Sequence, residues 1–330
     1  QPWVVAPNHL EYRDAVAAAA RRILDGQLRV FGQAVPMPNG APDWNRDPVT
    51  GHQFDRAFGL FVDFRHLGEG VDIKHAWEVS RHTWWVALAQ QFALARDERC
   101  LRRIGLVLDS WLRACPYPNG VHWSSPVEHG IRLINWSIVW GLVGGADSPL
   151  FEGEQGSQLR SRGLQSIYQH IRFASDNYSR YSSADNHLIG EAAGVFVAAH
   201  TWDRWEETRR LRAQAKSILE REAVRQFSAD GVNLEQATCY HKFTLQFLLA
   251  AGLCGRANGE DFSAAYWSTI ESALTFLASL MDCRGQVPAI GDADDGEVWC
   301  LAHDSDFDSY RSLVAIGAAL FRRTDLSAKA

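Results

Sequence analysis

The chain has 330 residues, 46% of them hydrophobic, which is enough for one large hydrophobic core or two ordinary ones. Its formal net charge of −6 gives no sign of nucleic-acid binding, and any basic groove for an anionic polymer would have to be local. No run of residues is apolar enough to span a bilayer, and no cysteine pair has the CxxC spacing of a zinc ribbon.

Helical periodicity dominates the chain after an irregular start. Residues 1–70 are predicted as an irregular N-terminal segment with one helix, and residues 71–330 as one helical domain. A loop or short hairpin is predicted at 283–303, where Gly and Pro recur. The clearest predicted helices lie around 84–92, 101–112, 131–142, 164–171, 188–201, 203–227, 240–254, 263–282 and 308–322.

Roughly ten to twelve helices joined by short polar loops predict an all-α fold of antiparallel helical hairpins. Alternating strand patterns are scarce. A closed or partly closed α/α toroid fits this rhythm, and a helical solenoid fits it nearly as well. Periodicity alone therefore leaves these two architectures open.

The first polar segment that could carry chemistry runs from Asp72 to His82. Glu78 and His82 are four residues apart, which predicts that they share one helical face with Arg81 beside them. The segment is either a salt-bridge network at a helix start or a cleft wall where Arg81 meets a carboxylate or sulfate. A metal site is not indicated, because no third ligand is near in the sequence.

A second segment begins at Trp123 and contains two serines that could cap a helix. Glu128 would support the first turn of that helix, and Arg132 follows one turn later. We predict a Glu128–Arg132 ion pair that holds the guanidinium in place, either for structure or facing a cleft.

The segment Ser183–Glu191 opens another apolar helix. Asp185 is a good candidate for the N-cap, which places Asn186 and His187 in the first turn. The positive end of the helix dipole favours a bound anion there, and an Asn amide can bond a uronate carboxylate. Helix capping alone is the simpler explanation.

The segment Glu235–His241 opens a further helix. Tyr240 could act as a proton donor, or as a base if a neighbouring cation lowers its pKa. Alternatively, Tyr240 is a buried residue whose hydroxyl is satisfied within the fold. The acidic stretch Gly291–Gly296 lacks the spacing of an EF-hand and is predicted to be a tight turn.

Together, five segments in this order resemble the heparinase II/III-like polysaccharide lyases. They are Asp72–His82, Ser124–Trp136, Ser183–Gly194, Asp230–His241 and Gly291–Gly296. The resemblance implies an N-terminal α/α toroid followed by a C-terminal antiparallel β-sandwich. It also implies β-elimination at a uronic acid, in which the carboxylate is neutralised, the C5 proton is removed and the C4–O bond breaks.

The resemblance also implies roles for individual residues. Asn186 would neutralise the carboxylate, with His187 as a second candidate. Tyr240 would be the catalytic acid, and also the base when the proton and the leaving group lie on one face. The residues expected to bind substrate, by lining or supporting the cleft, are Trp77, Arg81, Glu128, Arg132, Glu235 and His241.

Three further expectations follow from the resemblance. The partner is an acidic polysaccharide, and the protein is periplasmic or secreted, although the sequence shows no signal peptide. No cofactor is required by this chain. A further catalytic His, and in some relatives a metal, would come from the β-sandwich. No strand-rich half follows before Ala330, so we expect a domain of a longer protein, a missing part on another chain, or a reduced relative.

Two other classes of function remain open at this point. A glycoside hydrolase on a similar toroid would need two carboxyl groups across the glycosidic bond, and Glu191, Glu235 and Asp292 are available. A non-catalytic module that binds acidic polysaccharide is the other alternative.

Overall fold

Helices make up most of the structure, a computed structural model that describes residues 2–6, 10–64, 66–181, 184–304 and 307–330. These ranges contain twelve α-helices and a two-stranded antiparallel hairpin, β1 (Leu28–Val30) and β2 (Gln33–Val35). The first six helices are α1 Leu10–Leu24, α2 Ile73–Ser80, α3 Trp85–Ala95, α4 Glu98–Ala114, α5 Pro126–Leu142 and α6 Gly153–Asp176. The other six are α7 Asn186–Thr201, α8 Thr208–Arg225, α9 Thr238–Ala257, α10 Ala264–Leu280, α11 Ser309–Phe321 and α12 Thr324–Ser327.

The chain divides into two compact units. Unit 1 consists of Gln1–Asn177 with Trp299–Ser305, and unit 2 of Tyr178–Val298 with Asp306–Ala330. This division differs from the boundary predicted at residue 70. Helix α1 packs against α3 and α4, so the N-terminal segment shares a unit with the helices that follow it.

In unit 1, successive helices form hairpins, with α3 packed on α4 and α5 packed on α6. Helix α4 shows why the periodicity predicts this arrangement. Its buried residues Leu101, Ile104 and Trp111 recur at helical spacing and form one apolar face. The helix begins where the Asp97 side chain accepts a hydrogen bond from the backbone N–H of Arg99, at 3.0 Å.

In unit 2, α7 is the central helix, and it packs against both α8 and α9. Nearly all of its residues are buried, and small ones such as Gly190, Ala193 and Gly194 allow close approach on several sides. The end of α8 contacts the start of α7, since Gln226 Nε2 donates to the Ala184 carbonyl at 2.9 Å. Helix α8 therefore runs antiparallel to α7.

Residues 283–303, all of them described, form neither helix nor strand. The prediction of a loop there is confirmed. In the part of the chain that the structure describes, no helix is both long enough and apolar enough to cross a membrane.

Candidate functional site

The start of α7 is capped by a residue distant in sequence. Asn186 is the first residue of the helix, and its backbone N–H donates to Glu235 Oε1 at 3.0 Å. The Asn186 side-chain amide donates to Glu235 Oε2 at 2.7 Å. Asp185 occupies the N-cap position, but its side chain makes no capping bond to a described residue. The prediction that Asp185 caps this helix is therefore wrong, because Glu235 takes that place.

The segment before α9 folds so that Glu235 reaches the start of α7. Its backbone folds back on itself through a bridge between Phe227 and Asn233. The Asn233 side chain accepts a bond from the Glu235 N–H at 3.0 Å. Gly231 has φ +88°, and a Cβ there would lie 2.3 Å from the Ser272 carbonyl oxygen, so only glycine fits. The N-termini of α7 and α9 consequently lie at the same end of two packed helices.

The two carboxyl groups near this end are both held by hydrogen bonds. Burial and the neighbouring Asp185 charge raise the pKa of Glu235, against the lowering effect of its bonds from Asn186. Glu191, fully enclosed, accepts bonds from the Ser179 N–H at 2.7 Å and the Ser179 hydroxyl at 2.6 Å. Burial raises the pKa of Glu191 to about 7. Glu191 thus anchors the segment that leads towards α7.

Tyr240 lies in the first turn of α9, partly buried, at the same end of the unit as Asn186. Its hydroxyl donates to Asp292 Oδ2 at 2.8 Å. Burial is the first cause that raises the pKa of Tyr240 above its ordinary value, and the bond and charge of Asp292 raise it further. The structure corrects the suggestion of a neighbouring cation, because the charges that act on this phenol are acidic.

The sequence analysis considered Asp292 only as a carboxyl group for hydrolysis and missed its contact with Tyr240. The acidic stretch Gly291–Gly296 is a turn as predicted, with Asp294 Oδ1 accepting from the Gly296 N–H at 2.8 Å. Asp292 lies 52 positions after Tyr240 in the sequence. Turn formation explains the local pattern fully, so only the density of acidic residues could have indicated this partner of Tyr240.

His187 and His241 occupy different surroundings. His187 lies exposed in the first turn of α7. His241 is 3% exposed, and its Nε2 bonds the Ala273 carbonyl at 3.0 Å. Burial lowers the pKa of His241 to about 4. Its predicted place on a cleft wall is corrected, because the side chain lies in the core of unit 2.

Three of the residues predicted to bind substrate lie close together in unit 1. Arg81 bonds both oxygens of Glu128, at 2.8 and 3.0 Å, and also Glu78 at 2.7 Å. Trp77 donates its indole N–H to the Val121 carbonyl at 2.9 Å and is partly buried. The predicted Glu128–Arg132 pair is wrong, because both Glu128 oxygens face Arg81. Arg81 and Trp77 keep partial exposure, which suits a surface that contacts substrate.

Arg132 is completely buried in unit 1. Its Nη2 donates to the His122 carbonyl at 2.6 Å, and its Nε donates to His170 Nε2 at 3.1 Å. Burial lowers the pKa of Arg132 to about 10. A guanidinium enclosed in this way does not line a cleft, so the cleft-facing alternative for Arg132 is wrong and its structural alternative remains.

The predicted pairing of Glu78 and His82 on one helical face is also wrong. Helix α2 ends at Ser80, and His82 has a left-handed backbone with φ 59°. The His82 ring is buried and accepts a bond from the Trp136 indole N–H at 2.8 Å. Among the described residues, no group of three or more His, Cys, Asp and Glu side chains is arranged to hold a metal ion.

Replacing Glu235 with Ala should lower the free energy of unfolding by about 1–3 kcal/mol. The change removes the cap of α7 and leaves the Asn186 amide without this acceptor. Urea unfolding measures the loss, and Glu206→Ala on an exposed side chain is the matched control. Equal stability of the two variants would contradict the capping role.

Comparisons with known proteins agree on one family. A model of the heparinase II/III N-terminus matches residues 7–312. A heparin-sulfate lyase of Pedobacter heparinus is 26% identical over 259 residues, which are 75% of this chain and 38% of that protein.

Two solved structures share the fold. Heparan sulfate lyase HepC from Pedobacter heparinus has a TM-score of 0.58 at 22% identity, covering 93% of this chain and 43% of that one. A heparinase III structure has a TM-score of 0.61 at 15% identity, covering 85% and 40%. The chain therefore spans about two fifths of the length of these relatives.

These likenesses confirm the all-α toroid fold class, which periodicity alone left open against a solenoid. The family model covers more than half of the sequence. The chain therefore belongs to the heparinase II/III family, whose N-terminal domain it matches.

Proposed function

We propose that this chain is the helical part of a polysaccharide lyase that cleaves a uronic-acid-containing polysaccharide by β-elimination. The observation that carries the proposal is the phenol of Tyr240, held as a proton donor at the same end of α7 and α9 as the Asn186 amide. The heparin-sulfate lyase relative supports the same class of reaction.

The Asn186 side-chain amide has two N–H donors, and one of them bonds Glu235. In the proposed reaction, the other N–H donates to the uronate carboxylate. Hydrogen bonds to this group stabilise the charge that develops when the C5 proton leaves. The C5 electron pair then forms the C4–C5 double bond as the C4–O bond breaks. Tyr240 gives its phenolic proton to the departing oxygen and afterwards recovers a proton from water.

The surroundings of Tyr240 favour the acid role over the base role. A phenolate here would lie at hydrogen-bond distance from the Asp292 carboxylate, so two like charges would repel each other. Burial and the Asp292 charge both raise the pKa of Tyr240. We therefore assign removal of the C5 proton to another group, and the family resemblance suggests a histidine in a C-terminal β-sandwich outside this chain.

The carboxyl groups considered for hydrolysis are engaged elsewhere. Glu191 is fully enclosed and bonds Ser179, so it does not reach a glycosidic oxygen. Glu235 bonds Asn186 through both oxygens, and Asp292 accepts a hydrogen bond from the Tyr240 hydroxyl. Elimination therefore has stronger support than hydrolysis, which needs a free acid and a free base or nucleophile.

The test is incubation of the full-length protein with separate uronate polysaccharides, such as heparan sulfate, alginate and hyaluronan. We expect one of them to give ultraviolet absorbance from a new C4–C5 double bond, in proportion to new reducing ends. Reducing ends without that absorbance would establish hydrolysis instead. Binding without either signal would establish a non-catalytic module.

The proposal extends to cofactors and location. The acid and the carboxylate-binding group come from side chains, so the steps assigned to this chain use no cofactor. An extracellular or periplasmic place suits an enzyme that meets an acidic polysaccharide. Fractionation of the native cells with an antibody against the chain tests that location.

A further inference from the structure

The contact between Tyr240 and Asp292 is held from several sides. The Asp292 carboxylate accepts a hydrogen bond from the Tyr240 hydroxyl at 2.8 Å. The Asp292 backbone carbonyl accepts one from Cys239 Sγ at 3.1 Å. Cys239 and Tyr240 are neighbours at the start of α9, so one aspartate bonds two consecutive residues of the helix. This double attachment fixes the carboxylate beside the phenol.

The residues just before Asp292 are fixed to the same helix. Thr238 donates its backbone N–H to the Ile290 carbonyl at 3.0 Å and its hydroxyl to the Pro288 carbonyl at 3.1 Å. Gly291 has φ +73°, and a Cβ there would lie 2.6 Å from the Gln236 carbonyl oxygen. The chain can approach this closely only with glycine at that position.

The residues after the turn are attached about one and about two helical turns further along α9, at Lys242 and Gln246. Glu297 bonds the ammonium group of Lys242, a side chain that is only 5% exposed, and also bonds the Gln246 amide. Gln246 in turn accepts the Val298 N–H at 2.9 Å. Residues 288–298 are therefore bonded to the helix on both sides of Asp292. These bonds fix the position of the Asp292 carboxylate.

We propose that Asp292 is a positioning residue for Tyr240, which orients the phenol and keeps the proton on its oxygen until the leaving group needs it. The inference rests on the proposed lyase function and assigns a role to a residue outside the predicted site. Asp292 need not touch the polysaccharide, because it acts through the Tyr240 hydroxyl.

The pH dependence follows from the groups that act on the phenol. Among the described residues these are the carboxylates of Asp292 and Asp294 and the thiol of Cys239, and each of them disfavours a phenolate. Removing the Asp292 charge makes the phenolate easier to form, so the pKa of Tyr240 falls. As the pH rises, Tyr240 then loses its proton, and with it the ability to act as an acid, at a lower pH.

The experiment measures Tyr240 directly. The full-length protein is labelled with ¹³Cζ-tyrosine, and the Tyr240 resonance, assigned with Tyr240→Phe, is titrated from neutral to alkaline pH. In the unchanged protein it should remain that of a phenol at pH about 10. In Asp292→Asn, which keeps an acceptor oxygen, the midpoint should fall by about one pH unit or more.

Asp295→Asn is the matched control, since this exposed neighbour lies in the same turn and is absent from the causes that raise the Tyr240 pKa. Its Tyr240 midpoint should equal that of the unchanged protein. Equal midpoints in Asp292→Asn and Asp295→Asn would overturn the proposal. A phenolate already formed below pH about 10 in the unchanged protein would overturn it too, and this measurement needs no variant with an altered turn.

Activity separates this inference from the lyase proposal. On a cleaved substrate, Asp292→Asn should move the alkaline limb of kcat/KM to lower pH by the same amount as the Tyr240 midpoint. Asp292→Ala, which also removes the acceptor, should lower kcat in addition. A shifted midpoint in a protein that eliminates no uronate would refute the lyase proposal, while the Tyr240–Asp292 pairing itself would stand.

Discussion

Replacing Tyr240 with Phe should reduce the rate of double-bond formation by at least about 100-fold, with KM nearly unchanged. The substitution keeps the ring and removes only the hydroxyl that bonds Asp292. Without a proton donor, the departing oxygen leaves as an alkoxide, which raises the barrier of that step. The measurement is the initial rate of ultraviolet absorbance on the substrate found in the polysaccharide screen.

Tyr266→Phe is the control for this prediction. Its hydroxyl is buried and bonds the Leu248 carbonyl at 2.7 Å, so its loss should lower stability by about 1 kcal/mol while turnover is retained. The two variants should therefore lose different properties: Tyr240→Phe loses activity, and Tyr266→Phe loses stability. Full turnover by Tyr240→Phe would show that another group protonates the leaving oxygen.

The helices of unit 2 could be predicted closely from the sequence because their signal is local. The prediction of 263–282 corresponds to α10 at Ala264–Leu280, and 308–322 corresponds to α11 at Ser309–Phe321. Both helices repeat apolar residues over several turns, and both begin after a polar residue whose side chain caps the helix, Ser263 for α10 and Asp308 for α11. Boundaries of this kind depend on neighbours within a few positions.

Partners across long sequence distances could not be predicted in the same way. The rule that favours Asp at an N-cap selects the adjacent Asp185, whereas Glu235 reaches the start of α7 from 49 positions away. Likewise, helical spacing pairs Glu128 with Arg132, whereas the fold brings Arg81 to Glu128 from 47 positions away. Local rules consider only residues that are close in the sequence, whereas tertiary packing brings in partners from distant positions.

The resemblance directed attention to the appropriate segments without giving their internal geometry. It singled out the acidic turn Gly291–Gly296 and the helix that carries Tyr240, but not the bond between Asp292 and the phenol. It also grouped Arg132 and His241 with the cleft, although both are enclosed. Burial separates a residue that contacts substrate from one that supports the fold, and burial depends on the tertiary structure.

Unit 1 should lose stability steeply as the pH falls below about 6.5, because four histidines among its described residues are buried in the neutral form. Two of them accept a hydrogen bond from a group that can only donate, which holds them in the neutral form. His82 Nδ1 accepts from the Trp136 indole N–H, and His170 Nε2 accepts from the Arg132 guanidinium. Protonating either of these nitrogens requires breaking its bond.

The other two histidines are His122 and His129, both completely buried. Burial is the first cause that lowers the pKa of all four, and the nearby Arg132 charge is the second. The pKa of His122 falls to about 3. Between that value and about 6.5, the unfolded chain binds protons that the folded chain rejects, so stability falls as the pH falls.

The expected size of the effect is large compared with the stability of a domain. Each histidine contributes up to about 1.4 kcal/mol per pH unit, so four contribute up to roughly 5 kcal/mol per unit. A typical domain is stable by about 5–15 kcal/mol. Unit 1 should therefore unfold within about one to three units below pH 6.5.

Among the described residues of unit 2, the carboxyl groups of Glu191 and Glu235 have the opposite sign, because the pKa of each is raised. The folded pKa of Glu191 is raised to about 7, so the folded state binds a proton that the unfolded carboxylate does not hold until lower pH. Protonation of Glu191 therefore adds stability as the pH falls from about 7 towards about 4.5. This contribution offsets part of the loss from the buried His241.

Urea unfolding between pH 5 and pH 8, followed by tryptophan fluorescence, tests the prediction, since Trp111, Trp123 and Trp136 lie against these histidine rings. His129→Phe removes one titrating ring that stacks on Phe173, and the slope of stability against pH should fall by about 1.4 kcal/mol per unit. Gln158→Ala, on an exposed side chain that does not titrate, is the control and should leave the slope unchanged. A stability that stays level from pH 7 to pH 5 would mean that the buried rings accept protons without unfolding, and the donor bonds to His82 and His170 would then have to rearrange within the folded state.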